Sequence, residues 1–429
     1  MKPRIAVAMI AVAVATSGLR AQTVPESSQA AGVEPGYRRT PGFRIDPFSH
    51  LRIPHWGFVI SVGATAANNS MNLDDFGALL LLSDEDSLRW VDALDALGLV
   101  PRGAGLEGNG EAQSGIYVGG PVGSRINIGL SVMGRGYGAV SLDDDAVALL
   151  RDGNASREEF TLGDSNGRGI ATGEVGVHAL YRLGPFGSID GVHIIVGMGT
   201  RYIRPLLYGS ARSVLDNGGF LRLTGDTIAA SIEIETLQTE GLSDGDIGIN
   251  DGGGFVADFL VRAEWPTSGF AVEAMVANVG AVSVANVERR TATVELETTD
   301  LDEVADVLDT LDLAVQDVTN ITVTLPRFAR FTASAWANRI VQLDLIATYP
   351  FGSDFDLPPT VDLWSSWRLI ASVPLRAGLA FGGHQGVGFG AGLGVETRNF
   401  FFNLAGRSLG GLFGGATGAS ARFDLGVFF

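Results

Sequence analysis

Three stretches carry the Gly-x-Ser-x-Gly spacing of a hydrolase nucleophile: Gly163 to Gly167, Gly241 to Gly245 and Gly406 to Gly410. That chemistry needs the Ser on a sharp turn between a strand and a helix, where its hydroxyl stands clear of the backbone. Each instance reads as loop, and the first leads into a β-alternating run. With 59 glycines in 429 residues the spacing arises readily by chance, and a turn explains it without a nucleophile. No catalytic residue is assigned, and no enzyme activity is expected. Asp164-Ser165-Asn166-Gly167-Arg168-Gly169 begins like a calcium loop, but its twelfth position is Val175 where a bidentate acid belongs. Asp244, Asp246, Asn250 and Asp251 offer oxygen donors in a Gly-rich loop, and Asx turns account for the same residues. No metal or cofactor is expected.

His178 and His193 fall on the polar phase of two strands joined by a short turn, which would bring them near each other. No carboxylate spacing there completes a metal set. They belong to a larger set of polar residues that alternate with apolar ones. The set comprises Arg125, Glu174, His178, Arg182, His193, Arg201, Glu233, Glu235, Asp258, Arg262, Glu273, Asp344 and Arg376. Val175, Val177 and Tyr181 oppose Glu174, His178 and Arg182; Phe255, Phe259 and Val261 oppose Asp258, Arg262 and Glu264, with Leu260 breaking the polar phase. Alternate side chains of a strand point to opposite faces, so each run has one apolar face and one charged face.

The elements that must position these residues are therefore strands, many near ten residues long, which is the length of a tilted membrane-crossing strand. The closing run from Ser420 places Phe423, Leu425, Val427 and Phe429 on one face, with Phe428 as the exception. An exported chain that ends this way carries an ending that resembles the assembly signal of outer-membrane barrels. Val387 to Val395 oppose an all-glycine face, Gly386 to Gly394, which would widen a lumen or admit an inner segment, residues 22–56 or a helix.

Composition agrees. Hydrophobic residues are 46% and mean hydropathy is +0.23, yet after the N-terminus no stretch approaches the ~20 apolar residues of a spanning helix. A barrel with lipid outside and a polar lumen meets both conditions. The formal charge of −18 argues against a nucleic-acid partner. The chain has no Cys, and hence no disulfide framework. Met1-Lys2-Pro3-Arg4, an apolar run from Ile5 to Ala15 and a small-residue exit at Ala21 describe a cleaved signal peptide, residues 1–21. Residues 22–56 form a periplasmic or lumen segment. Residues 57–429 form the barrel, with helical insertions near 73–98, 141–151 and 301–313. The expected fold is all-β: a closed antiparallel transmembrane barrel of roughly 14 strands, within a range of about 12–16.

The order of these elements resembles uncharacterised relatives of the long-chain fatty-acid transporter (FadL-like) barrels. The resemblance lies in the run from Asn69-Ser70 to Leu82, in Asp251-Gly252-Gly253-Gly254-Phe255-Val256-Ala257-Asp258, and in Leu325-Pro326 opening the strand from Arg327 to Trp336. The Asn-Pro-Ala-type start of those transporters' lumen hatch is absent. The resemblance implies passage of small or hydrophobic molecules through a partly occluded lumen. It also implies a monomer in the outer membrane of a Gram-negative-type bacterium, with membrane lipid, the barrel-assembly machinery and a small hydrophobic ligand as partners. Two other readings stay open: a structural or partner-binding barrel with a closed lumen, and an outer-membrane lipase using Ser165.

Overall fold

The computed structural model describes residues 43–44, 46–52, 54–70, 72, 100–152, 158–161, 163, 165–186, 191–213, 219–224, 227–239, 250–266, 268–299, 315–337, 340–355, 357–370, 372–383, 386–411 and 416–429. The signal peptide, the first part of the 22–56 segment, the insertions at 73–98 and 301–313, and Asp164, Asp244 and Asp246 lie outside these residues.

Among the described residues the strands are β1 (Gly57–Asn68), β2 (Leu106–Pro121), β3 (Ile126–Leu142), β4 (Glu159–Thr161), β5 (Asn166–Phe186), β6 (Val192–Ser213), β7 (Phe220–Thr224), β8 (Thr227–Thr239) and β9 (Gly253–Trp265). They continue with β10 (Phe270–Thr298), β11 (Val315–Val323), β12 (Arg327–Trp336), β13 (Val341–Phe351), β14 (Thr360–Ile370), β15 (Val373–Gly382), β16 (Gly386–Glu396), β17 (Phe400–Leu409) and β18 (Gly418–Phe428). Two helices are described, α1 (Pro47–Leu51) and α2 (Asp144–Asp152). The insertion expected at 141–151 contains the helix α2, but Ser141 and Leu142 still belong to β3.

The strands close into a 14-strand antiparallel barrel. Closure is made by β1, which pairs β18 from Gly57↔Phe428 to Ala67↔Gly418 and β2 along its other edge. Closure leaves no unpaired edge, which hydrocarbon requires. Two staves are each built from two segments. β6 pairs β9 at His193–Ile203 and β8 at Gly209–Ser213, so β8 runs down into the place of β9. β11 and β12 share one line against β10 in the same way. β4 and β7 stand outside the ring, paired to each other and through β7 to β8. At one end of the barrel the connections are short turns, such as 122–125, 266–269 and 397–399. The opposite end carries α2 and the strand extensions. This is the asymmetry of outer-membrane barrels.

The two faces are the reverse of a water-soluble protein. Leu130, Val132, Val175, Val177, Met198 and Phe255 are more than half exposed, whereas Glu174, Arg201 and Asp258 on the same strands are almost fully buried. Val132 and Val175 are cross-strand partners, as are Met198 and Phe259, so the apolar surface is continuous. A contiguous exposed apolar face marks contact with something other than water, and on a closed barrel that contact is lipid.

Candidate functional site

A short helix lies inside the barrel wall. Asp46 and Pro47 start α1: the Asp46 carboxylate accepts the Phe48 N–H at 2.9 Å, and Pro47 occupies a first-turn position where its missing N–H costs nothing. This short helix inserts Phe48 and Leu51 among Leu180, Ile195, Leu260 and Met275. These four apolar residues sit in the inward phase of β5, β6, β9 and β10. Leu260, which breaks the polar alternation in the sequence, is 1% exposed here. Glycines make the room: a Cβ on Gly119 or Gly129 would come within 2.6 Å of the Leu51 side chain, and one on Gly197 within 3.1 Å of Phe48. The Phe48 ring meets His178 edge-on, with centroids 5.8 Å apart.

Charge fixes the same segment to the wall. Arg330 of β12 bonds Asp46 at 2.6 Å and Glu273 at 3.2 Å. Arg52, just after α1, reaches Asp46 at 3.2 Å and also pairs Glu273. Arg262 joins Glu273 at 3.3 Å to Glu264 at 2.6 Å. Three guanidiniums thus meet three carboxylates between the plug and three wall strands, β9, β10 and β12. Burial pushes the Asp46 carboxyl up, but the Arg330 and Arg52 guanidiniums outweigh it and hold the group well below the usual carboxylate range. Ahead of α1, Arg44 bonds Glu111 at 2.6 Å and lies over the Phe328 ring, and the Gln113 side-chain amide donates to the Phe43 carbonyl at 3.0 Å.

A second network crosses the bore beside α1. Arg201 makes two hydrogen bonds of 2.9 Å to the Asp258 carboxylate and also holds Glu174 and the Asn278 side-chain oxygen. Asn278 comes from a bulge in β10, where pairing with β9 shifts between Val276 and Val279. Its φ of 61° lies in the left-handed region, which Asn tolerates better than most residues. From there its N–H donates to Asp258 at 2.9 Å and its amide donates to the Pro326 carbonyl at 2.6 Å. Arg135 adds a bond to Asn278 at 3.3 Å. A third group lies on the remaining wall: Arg376 bonds Glu396 at 2.7 Å and Asn403 at 2.8 Å, Arg368 pairs the same Glu396, and Arg422 pairs Asp424. Toward the loop end the interior turns apolar. Tyr137, Ile203, Val256, Val282 and Phe328 from the wall close against Phe355 and Leu357 of the β13–β14 connection.

Of the expected lumen residues, Glu174, His178, Arg201, Asp258, Arg262, Glu273, Asp344 and Arg376 are buried on the inner face. Asp344 accepts from the Gln342 amide at 2.8 Å. Arg125 and Arg182 lie at the short-turn end. Two expectations need correction. His178 and His193 are not neighbours: His178 pairs Gly199, six residues along β6 from His193, or about 20 Å at strand rise. His193 instead pairs Glu264. Glu233 and Glu235 lie on β8 in the extended wall, above the level of the plug, where Glu235 pairs Arg212 and Arg289. For the glycine face of β16, residues 22–42 and the insertions at 73–98 and 301–313 lie outside the described residues, and the described part of the N-terminal segment reaches it only through a wall side chain. The Trp364 indole lies across it, where a Cβ on Gly378 or Gly390 would fall 2.5 or 2.4 Å away. Phe43 then packs on that indole at 5.8 Å, with the Arg407 guanidinium 4.6 Å from the Phe43 ring.

Sequence reading missed Asp46, Arg330 and Trp364. Arg330 had a signal, since Arg330, Thr332 and Ser334 alternate with Phe331 and Ala333; Asp46-Pro47 is a helix-start pair. The Gly-x-Ser-x-Gly at 163–167 runs straight into β5, and Gly406 to Leu409 are inside β17 rather than in a loop, so neither has the strand–turn–helix elbow. On the closing strand Phe423, Leu425, Val427 and Phe429 keep one phase, while Phe428 turns inward and stacks on Phe401 at 5.4 Å.

No protein-family model matches the sequence, and no curated protein does. Solved barrels do resemble it in backbone course. The Pseudomonas putida toluene transporter TodX is similar at 7% identity over 90% of this chain and 95% of that one, with a TM-score of 0.46. The CymD monoaromatic hydrocarbon channel is similar at 9% identity over 96% and 99%, TM-score 0.45, and a Pseudomonas aeruginosa FadL homologue at 13% over 89% and 91%, TM-score 0.43.

Proposed function

We propose that this chain is an outer-membrane barrel that passes small, hydrophobic molecules, with the segment from Phe43 to Trp56 as a displaceable plug. The observation that carries the reading is how the plug is held. It belongs to no wall strand, its Phe48 and Leu51 occupy an apolar seat, and its charged contacts with the wall are side-chain pairs with Arg330, Glu273 and Glu111. Such a segment can leave without breaking the ring of strand pairs. The seat it would vacate is apolar and lies between charged walls, which suits a hydrophobic solute with little charge of its own. Passage needs no covalent chemistry and no cofactor.

The test is conductance and uptake. In planar bilayers the full chain should give brief or no openings, and a chain lacking residues 43–52 should give steady ones. Proteoliposomes of the deleted chain should take up a small hydrophobic dye faster than those of the full chain. Silence in both assays, from a chain that still folds, would leave the structural, partner-binding reading. That reading has its own support in the loop-end strands β4 and β7, which stand outside the ring and pair through β7 to β8.

A further inference from the structure

Phe48 and Leu51 turn one side of the plug to its apolar seat, and another side meets a polar gap. Ser49 is the one residue of α1 that is only half-buried, and it lines that gap together with Thr332, Ile346, Asn403 and Ala405 of β12, β13 and β17. The gap offers about 50 Å³ of space for water centres, where a single water needs roughly 10–15 Å³. Through Arg52 it adjoins a cavity of about 290 Å³ at the short-turn end, lined by Pro54 of the plug and by Gly123, Ser124 and Arg125 of the β2–β3 turn. Through Phe43, Arg44, Arg330 and Ile346 it adjoins a third cavity of about 80 Å³, which reaches Pro358, Gly382 and Gly383 at the loop end. The three cavities thus follow one another along the plug, from Pro54 to Phe43.

The charges of the middle cavity are matched. Arg44 pairs Glu111, Arg52 and Arg330 share Asp46 and Glu273, Arg376 pairs Glu396, and Arg422 pairs Asp424. Water finds hydrogen-bonding partners beside these pairs, in the Ser49 and Thr332 hydroxyls and the Asn403 amide. An ion would have to shed its hydration there, and a pair already satisfied by its own partner gives little in return.

We propose that this seam is a water conduit: it passes water, and excludes salt, while the plug stays seated. The three cavities are its two mouths and its strait. The proposal needs a barrel in lipid but not a plug that leaves, so it stands apart from the passage of hydrophobic molecules.

The experiment uses the full chain in proteoliposomes, given a hyperosmotic sucrose step and followed by light scattering. They should shrink several-fold faster than protein-free vesicles, and should hold a potassium chloride gradient as long as those do. Ala405→Phe fills the strait from the wall and should remove most of the excess water flow. Should that variant fail to fold, Ser49→Phe fills the same gap from the plug and should do the same. Leu404→Phe, one residue away on the exposed outer face, should keep the full rate. Shrinkage no faster than in protein-free vesicles would overturn the proposal. So would a wild-type rate in the folded Ala405 or Ser49 variant, or a salt leak that these variants abolish together with the water flow.

Discussion

The Arg330 guanidinium, on a wall strand, stands 2.6 Å from the Asp46 carboxylate, on the segment that packs inside the wall. Both groups are nearly removed from solvent, and the pair is one of the charged joints between plug and barrel. Removing one member of a buried pair leaves the other uncompensated, at a cost of about 3–5 kcal/mol. Asp46→Asn and Arg330→Gln should each raise open probability in planar bilayers. The double variant should cost less than the sum of the two singles, because the interaction is counted twice otherwise. Additive effects would mean that the pair does not hold the plug.

The same carboxylate sets a pH dependence. Its folded-state value is depressed, so its contribution to plug seating is complete above the ordinary Asp value of about 4 and is lost only as pH falls toward the folded value. Conductance of the full chain should therefore be flat from about pH 8 to pH 4 as far as Asp46 is concerned, and should rise only in stronger acid. Recording the open probability across that range, with Asp46→Asn as the pH-insensitive reference, checks this.

Arg201 serves two carboxylates, Asp258 through paired bonds and Glu174. Arg201→Gln would strand both in the interior and should destabilise the barrel by about 3–5 kcal/mol. Lys should rescue little, because a single ammonium cannot reproduce the paired geometry. Urea unfolding in detergent, followed by tryptophan fluorescence, measures both. A wild-type midpoint for Arg201→Lys would contradict the geometry.

Trp364 and Gly390 should behave as a lock and its slot. Gly390→Ala would place a methyl 2.4 Å from the indole, and the resulting overpacking should cost about 1–3 kcal/mol. Gly406→Ala, whose added methyl meets nothing closer than 3.9 Å, should be nearly neutral. Trp364→Ala should remove the penalty of Gly390→Ala while carrying its own cavity cost. Thermal unfolding of the four variants separates these effects.

Leu130 on the outer face is 60% exposed. Leu130→Arg should slow insertion into vesicles and cost about 2–4 kcal/mol if it sits near the bilayer midplane. Ser131→Arg, on the inner face, should insert normally if it folds. Equal insertion of Leu130→Arg and wild type would argue against lipid on that face.

Alternation was enough to establish the kind of molecule. Val132 out and Ser131 in, or Val175 out and Glu174 in, repeat around the ring because a strand has a period of two. A chain whose charged phase is inside and whose apolar phase is outside can close only as a barrel in lipid. The number of staves was legible to within about two, because β8 and β9, like β11 and β12, share a single line that no local pattern reveals. The exceptions to alternation were visible but mute. Leu260 and Phe428 read as breaks, and only the fold shows Leu260 beneath Phe48 and Phe428 against Phe401. What met across the bore was decided by closure alone. Arg330 and Asp46 are 284 positions apart, Trp364 reaches Gly390 over an intervening strand, and His178 and His193 are separated by register. Side-chain phase is a property of one strand, whereas these meetings depend on register, shear and the path of a segment that pairs with no strand.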